Sequence, residues 1–444
     1  MSQAATIKVA VIRLDLFGWL GLVVGLVMPV LSALIYPVYM HQMQPAWAEW
    51  TRLMELPFVA CELAIIHVAL RRGYRDGQIW TILPRDVRVA LGLLLLGLTV
   101  SSLFASKNVP VSVLLSLTTL IHLRFGAAVW FLVRHKQIAS GHSGVGCAES
   151  LGAFFPLLGV GLLALTIMTI WKFQLPPPEW SVPGGKIEWA SALPGFINVR
   201  HFGSWTGAIA AGLMLALLYG RPEEMPATSL VYLLAAGLTC WSGTRAAVLA
   251  MGVVALIGLS SQRRLPSPSA LVRVGGLSAL SLIGAAVLSP GLPEFALFMR
   301  DNLSSANALT SGRLELWHDT FIRWLDAPVF GLGSGSTFWE VNIGWAHTQP
   351  HNAILQFLIS WGVIGAVAGL WLIGRAIAAT HHIGMTDARL LSLTGTLYSL
   401  LFMSLLEGML FYPRFIMLIA IGFAVLFAAR ARDGANPDEH IRTP

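Results

Sequence analysis

The sequence is poor in charge. Asp, Glu, Lys and Arg make up 11% of its 444 residues, against about 25% in a soluble globular domain. That excludes an ordinary water-soluble protein with a charged surface. Cysteine is scarce too. Cys61 and Cys240 lie in apolar runs and Cys147 in a connecting stretch, so no disulfide framework is implied. The long apolar runs lack the two-residue alternation of a membrane β-barrel. The N-terminus lacks the marks of a cleavable signal: its first apolar run, Phe17 to Met40, exceeds a signal h-region and shows no evident A-x-A site. There is no internal repeat of fixed period and no low-complexity tract.

What is present is hydrophobicity, 56% of the residues. It is gathered into runs long enough to cross about 30 Å of hydrocarbon. The pattern predicts an all-α, polytopic helical integral membrane protein. About twelve transmembrane helices are expected, near 17–40, 53–70, 87–104, 110–134, 151–172, 202–219, 228–241, 245–260, 271–289, 351–374, 388–406 and 413–429. The chain reads as a single transmembrane domain, 1–444. A smaller loop at 173–201 contains PPPEW and VPGGK, and a larger extramembrane segment covers 290–350. The tail is 430–444.

Lys and Arg set the orientation. With the termini and every second connection on one side, that side carries 18 of the 29 Lys and Arg and the other side carries 10, Arg124 lying within a span. The termini and the tail are therefore expected in the cytoplasm, and 173–201 and 290–350 outside, in the periplasm of a Gram-negative cell. The net charge of +7 is part of this asymmetry and is not read as nucleic-acid binding. Within 290–350, SGRLELWHDTFIRWL (311–325) reads as an amphipathic helix. Ser311 is a plausible N-cap, and Leu314, Trp317, Phe321, Trp324 and Leu325 fall on one face, suited to the membrane interface.

The stretch 331–365, GLGSGSTFWEVNIGWAHTQPHNAILQFLISWGVIG, is the most informative. It runs from a Gly-rich loop into His351-Asn352 at the mouth of a membrane helix. Imidazole takes or gives a proton near neutral pH. Two readings stand: a functional base with Asn352 orienting it, or a helix-start histidine with Asn352 as the cap. His347, four residues earlier, is a weaker candidate. A zinc pair at that spacing lacks a third ligand, and Pro350 interrupts a continuous helix. No metal site is expected.

Arginines on the outer side need a reason, because the charge bias disfavours them there. Arg200, Arg245, Arg313 and Arg414 are such residues. Guanidinium is a bidentate partner for phosphate oxygens, and several around one cavity would stabilise a departing diphosphate. The competing reading is ion pairing: Arg414 with Glu407, or Arg313 with Glu315 or Asp319. Arg124, near the middle of a span, is either functional or paired with Glu62. GLGSGS (331–336) lacks the Lys-Ser/Thr ending of a P-loop, so a flexible loop over the membrane surface is expected. Asp319 is expected to pair with Arg323 at i,i+4. No Asp-x-Asp and no G-x-S-x-G occurs, which favours a base with a cationic clamp and no metal or other cofactor.

SGTRAAVLA with Arg245, SGRLELW with Arg313, and GLGSGSTF followed by HNAILQFLISWGVIG with His351 resemble the bacterial O-antigen ligases. That group also includes O-antigen polymerases and O-oligosaccharyltransferases. The resemblance is clearest over 195–375. It implies a GT-C-like membrane glycosyltransferase of lipopolysaccharide biosynthesis, with about twelve helices and one large periplasmic loop. Such a protein takes a glycan from undecaprenyl diphosphate and passes it to a hydroxyl of lipid A–core. The proposed mechanism is inverting and metal-independent. The resemblance assigns His351 to the acceptor hydroxyl and Arg245 and Arg313 to the diphosphate; Arg200 and Arg414 are added from their location. The implied partners are the lipid-linked donor, the lipid A–core acceptor and membrane lipid. Polymerase or protein-glycosylating activity is the alternative within the group, and a transporter or lipid flippase is the alternative outside it.

Overall fold

The structure is a computed structural model. It describes residues 16–28, 30–31, 55–139, 154–173, 196, 199–220, 225–288, 313–335 and 349–433. Expectations for Ser311, His347 and most of the loops at 173–201 and 290–350 lie outside these residues, as does nearly all of the tail at 430–444.

The described residues are helical, with no strand among them. In chain order the helices are α1 (Leu16–Leu22, continued by a π-turn at Val23–Val27), α2 (Leu56–Arg71), α3 (Asp76–Ile82), α4 (Arg85–Val100, ending in a π-turn at Ser101–Ala105) and α5 (Val109–Ala139). There follow α6 (Phe154–Phe173), α7 (Val199–Tyr219), α8 (Met225–Trp241), α9 (Arg245–Gln262) and α10 (Pro268–Val287). The last four are α11 (Arg313–Trp324), α12 (Ala353–Thr386), α13 (Leu391–Met403) and α14 (Pro413–Asp433). Every expected span overlaps one of these helices. Among the described residues, seven are long and apolar enough to cross a membrane: those at Arg85–Ala105, Val109–His135, Val199–Tyr219, Arg245–Gln262, Pro268–Val287, Ala353–Thr386 and Pro413–Ala431. The protein is a polytopic helical membrane protein. The short α3 was not foreseen. It is a seven-residue piece between α2 and α4.

The bundle is organised around α7, which is buried along nearly its whole length and packs on α8, α9 and α13. Lipid drives no hydrophobic association between helices, so close backbone approach matters. A Cβ on Gly395 would sit 2.8 Å from the Gly212 Cα, which is how closely α13 crosses α7.

The helix α12 is broken. Gly362 has φ 64 and ψ −171, left-handed backbone that a Cβ disfavours. Its own Cβ would lie 2.2 Å from the Val329 carbonyl. A break inside a membrane protein must find partners for the freed backbone groups. Residues 328–333 supply them. Leu332 and Gly333 donate their N–H groups to the carbonyls of Ile359 and Ser360, at 2.8 and 3.1 Å. Val363 and Ile364 donate theirs to the carbonyls of Pro328 and Val329, at 2.9 and 3.4 Å. The described part of the glycine segment, 331–335, is thus largely buried in the fold. That corrects the expectation of a flexible surface loop: these glycines let two backbones meet.

Candidate functional site

The approach to α12 is tightly held. Asn352 is its N-cap: the side-chain oxygen accepts from Leu355 N–H at 3.1 Å and the amide donates to the Leu405 carbonyl at 3.0 Å. Ala353 N–H donates to the Ser404 carbonyl at 2.8 Å. Trp317 of α11 donates its indole N–H to the Pro350 carbonyl at 2.8 Å. Between these ties His351 is left-handed, φ 54. A non-glycine residue there carries strain of roughly 1–3 kcal/mol, which persists only where the surroundings enforce it.

The enforced ring meets a buried carboxylate. Glu407, in the α13–α14 connection, is 3% exposed. Its Oε2 is 3.4 Å from His351 Nδ1. Its Oε1 receives Nη2 of Arg313, the first residue of α11. Burial alone would raise the Glu407 carboxyl. Arg313 and His351 outweigh burial and hold it down at about 2. Gln349 places its amide nitrogen 3.3 Å from the same His351 Nδ1 and packs where Gly408 has no side chain; a Cβ there would be 2.0 Å from Gln349 Oε1. His201 of α7 stands in electrostatic reach of Glu407, His351 and Arg414, with its ring edge-to-face on Tyr412 at 4.3 Å.

The structure therefore joins two of the expected residues, His351 and Arg313, through a third that the sequence offered only as a partner for Arg414. That pairing is corrected. Arg414 is 1% exposed and pairs with Glu55, Nε to Oε1 at 2.6 Å and backbone N–H to Oε2 at 3.1 Å. Its guanidinium lies over the rings of Phe196 and Phe58, 4.2 and 5.0 Å from their centroids. Arg313 turns to Glu407, away from both Glu315 and Asp319 as expected partners.

Arg200 donates to the carbonyls of Ser242 and Gly243 in the α8–α9 turn. Arg245 opens α9 directly after that turn, half-buried. The turn packs on α7, because a Cβ on Gly203 would meet the hydroxyls of Ser242 and Thr244 at 2.0 Å. Arg200, His201 and Arg245 thus belong to the same end of the bundle as His351.

Arg124 does not. It pairs with Asp76 of α3, Nη2 to Oδ2 at 2.8 Å, and its side chain is 42% exposed. Glu62, its expected partner, is 2.6 Å from His122 Nδ1 instead. Asp319 lies beside His318, and Arg323 pairs with Asp326, so the expected i,i+4 pair does not form. The amphipathic α11 keeps Leu314 and Phe321 exposed, as is Leu325 just after it, while Leu316 and Thr320 are buried. Trp317 and Trp324 donate their indole N–H groups to the carbonyls of Pro350 and Pro328.

Among the described residues no three His, Cys, Asp or Glu side chains are grouped as metal ligands. Chemically the site offers an imidazole, carried on a left-handed backbone, beside a buried carboxylate and a guanidinium on the same carboxylate. That set can accept a proton and stabilise an anion. Sequence reasoning passed over Gln349, Glu55 and His201, and offered Glu407 only as a partner for Arg414. The signal for Glu407 was an acid alone in an apolar run, LLEGML.

A comparison with curated proteins finds no match. Residues 230–370, which hold Arg245, Arg313 and His351, are similar to the protein family described as O-antigen ligase.

Proposed function

We propose that the protein is a glycosyltransferase of the bacterial inner membrane. It moves an O-antigen glycan from undecaprenyl diphosphate to a hydroxyl of lipid A–core on the periplasmic side. The termini are cytoplasmic. The observation that carries this reading is the single carboxylate, Glu407, holding both Arg313 and His351 at one end of the bundle. A flippase needs charges along a path through the bilayer. Here the residues that the family match contains, Arg245, Arg313 and His351, belong to one end.

The step is an in-line displacement. The acceptor oxygen bonds to the anomeric carbon while the bond from that carbon to the diphosphate breaks, inverting the centre. The electron pair leaves with undecaprenyl diphosphate, and the hydroxyl proton passes to His351. Diphosphate is already a good leaving group, so positioning, a base and charge stabilisation suffice. Arg313 and Arg245 meet the developing negative charge and make a metal unnecessary. Arg414 and Arg200 act as scaffold, since Glu55 and the Ser242–Gly243 carbonyls engage them.

The test is reconstitution with a lipid-linked glycan, lipid A–core and EDTA. Transfer proceeds, and His351→Ala lowers it by about 100-fold or more, the usual range for losing a general base. Full activity of that variant would end the base assignment, and complete loss with EDTA would end the metal-free step. Glycan extension without transfer to lipid A–core would mark a polymerase.

A further inference from the structure

We infer that Glu407 is a positioning residue that fixes which nitrogen of His351 carries the proton and links the base to the diphosphate clamp. The inference rests on the glycosyltransferase reading above.

Glu407 presents Oε2 to His351 Nδ1 at 3.4 Å and Oε1 to Arg313. An ionised carboxylate only accepts hydrogen bonds. That anion, 3.4 Å away, favours the hydrogen on Nδ1, which in the neutral ring leaves the lone pair on Nε2. The amide nitrogen of Gln349, 3.3 Å from the same Nδ1, would by itself demand the opposite tautomer. The buried charge is the stronger partner, because charge-assisted hydrogen bonds are about twice as strong as neutral ones. So the acceptor hydroxyl meets Nε2, and the imidazolium that forms is met by Glu407. The left-handed backbone of His351 and the N-cap at Asn352 hold the ring to that carboxylate.

The second oxygen gives the carboxylate a further task. In the protein without substrate, Arg313 is neutralised by Glu407. A diphosphate that draws Arg313 onto its own oxygens leaves the carboxylate to His351 alone, at the stage when the ring must become a cation. Donor binding and base activation are then coupled through one side chain. The charged and titratable groups facing the pair are Arg313 from α11, His201 from α7, and Arg414 of α14 with its partner Glu55 at the start of α2.

The experiment compares wild type, Glu407→Gln, Glu407→Asp and His351→Ala, purified in detergent, in the same transfer assay across pH. Thermal melting checks that each variant is folded. For Glu407→Gln, kcat falls by about 100-fold, within the range for general-base effects. Its KM for the lipid-linked donor does not rise, and the acidic limb of its pH–activity profile moves to lower pH because an anion beside the imidazolium is gone. Glu407→Asp recovers part of kcat. A merely structural carboxylate would lower the amount of folded enzyme and leave the profile where it was. An inactive His351→Ala beside a Glu407→Gln of unchanged kcat and profile overturns the inference alone. An active His351→Ala overturns the reading beneath it.

Discussion

The two ends of the bundle use the same residue types differently. At the end away from His351, Arg375 of α12 meets Asp86 of α4 at 2.7 Å with side chains 43% and 37% exposed, and Arg389 folds back on Asp387 in the same short connection. At the His351 end, Glu407 and the Arg414–Glu55 pair are almost fully buried. Exposed pairs contribute little, about 0–1 kcal/mol, because water screens them and long side chains lose freedom to form them. A buried pair gains little over an apolar replacement, yet breaking it strands a charge and costs about 3–5 kcal/mol. Charges at the first end stay in contact with solvent. Charges at the second are held at a cost the fold accepts only where something else is gained.

Removing one partner separates these cases. The largest effect is expected for Glu55→Ala, which leaves Arg414 buried over two rings without its carboxylate. Stability falls by about 3–5 kcal/mol, seen as a large drop in melting temperature and loss of folded protein in detergent. A melting temperature within a degree or two of wild type would show that this end is as well solvated as the other.

Next is the pH dependence of Glu407. Its carboxyl lies below the ordinary 4.5, at about 2 in the fold. A lowered carboxyl contributes stability that is fully present above the unfolded value and is lost as pH falls through the folded one. The gap in melting temperature between wild type and Glu407→Gln therefore does not narrow from pH 7 to 4.5, and narrows from 4.5 toward 2. A gap that closed above pH 5 would contradict an ionised, doubly held carboxylate. The smallest effect is expected for Arg375→Ala, with less than about 1 kcal/mol lost and transfer activity unchanged. A loss comparable with that of Glu55→Ala would erase the contrast between the ends.

Much of this was legible along the chain. Apolar runs anticipated the helices because hydropathy and length are local properties. The start of α12 was legible too: Asn352 caps it as its type predicts. The motifs around Arg245, Arg313 and His351 marked those residues through their resemblance to a family. Partnership was not legible. Glu407 is 94 residues from Arg313 and 56 from His351 in sequence, and Glu55 is 359 from Arg414, so no local rule could choose among 22 acids. The near candidates lost because short-range pairs on a helix gain only about 0.2–0.5 kcal/mol, less than burial geometry can override. The glycine segment misled for a related reason. Glycine marks both mobile loops and places where backbones touch, and the break at Gly362 decides for the second.

The sequence by itself determined that the chain is a helical membrane protein and that a histidine and several arginines lie at helix ends. Hydrophobic run length and the cost of bare backbone in lipid leave little choice in those matters. Tertiary structure decided which charges are paired in the interior and which face water. It brought His351 and Arg313 to one carboxylate and assigned Arg414 to Glu55. Those outcomes depend on which helix ends meet in space, and a buried charge accepts whatever partner the packing brings within hydrogen-bond reach.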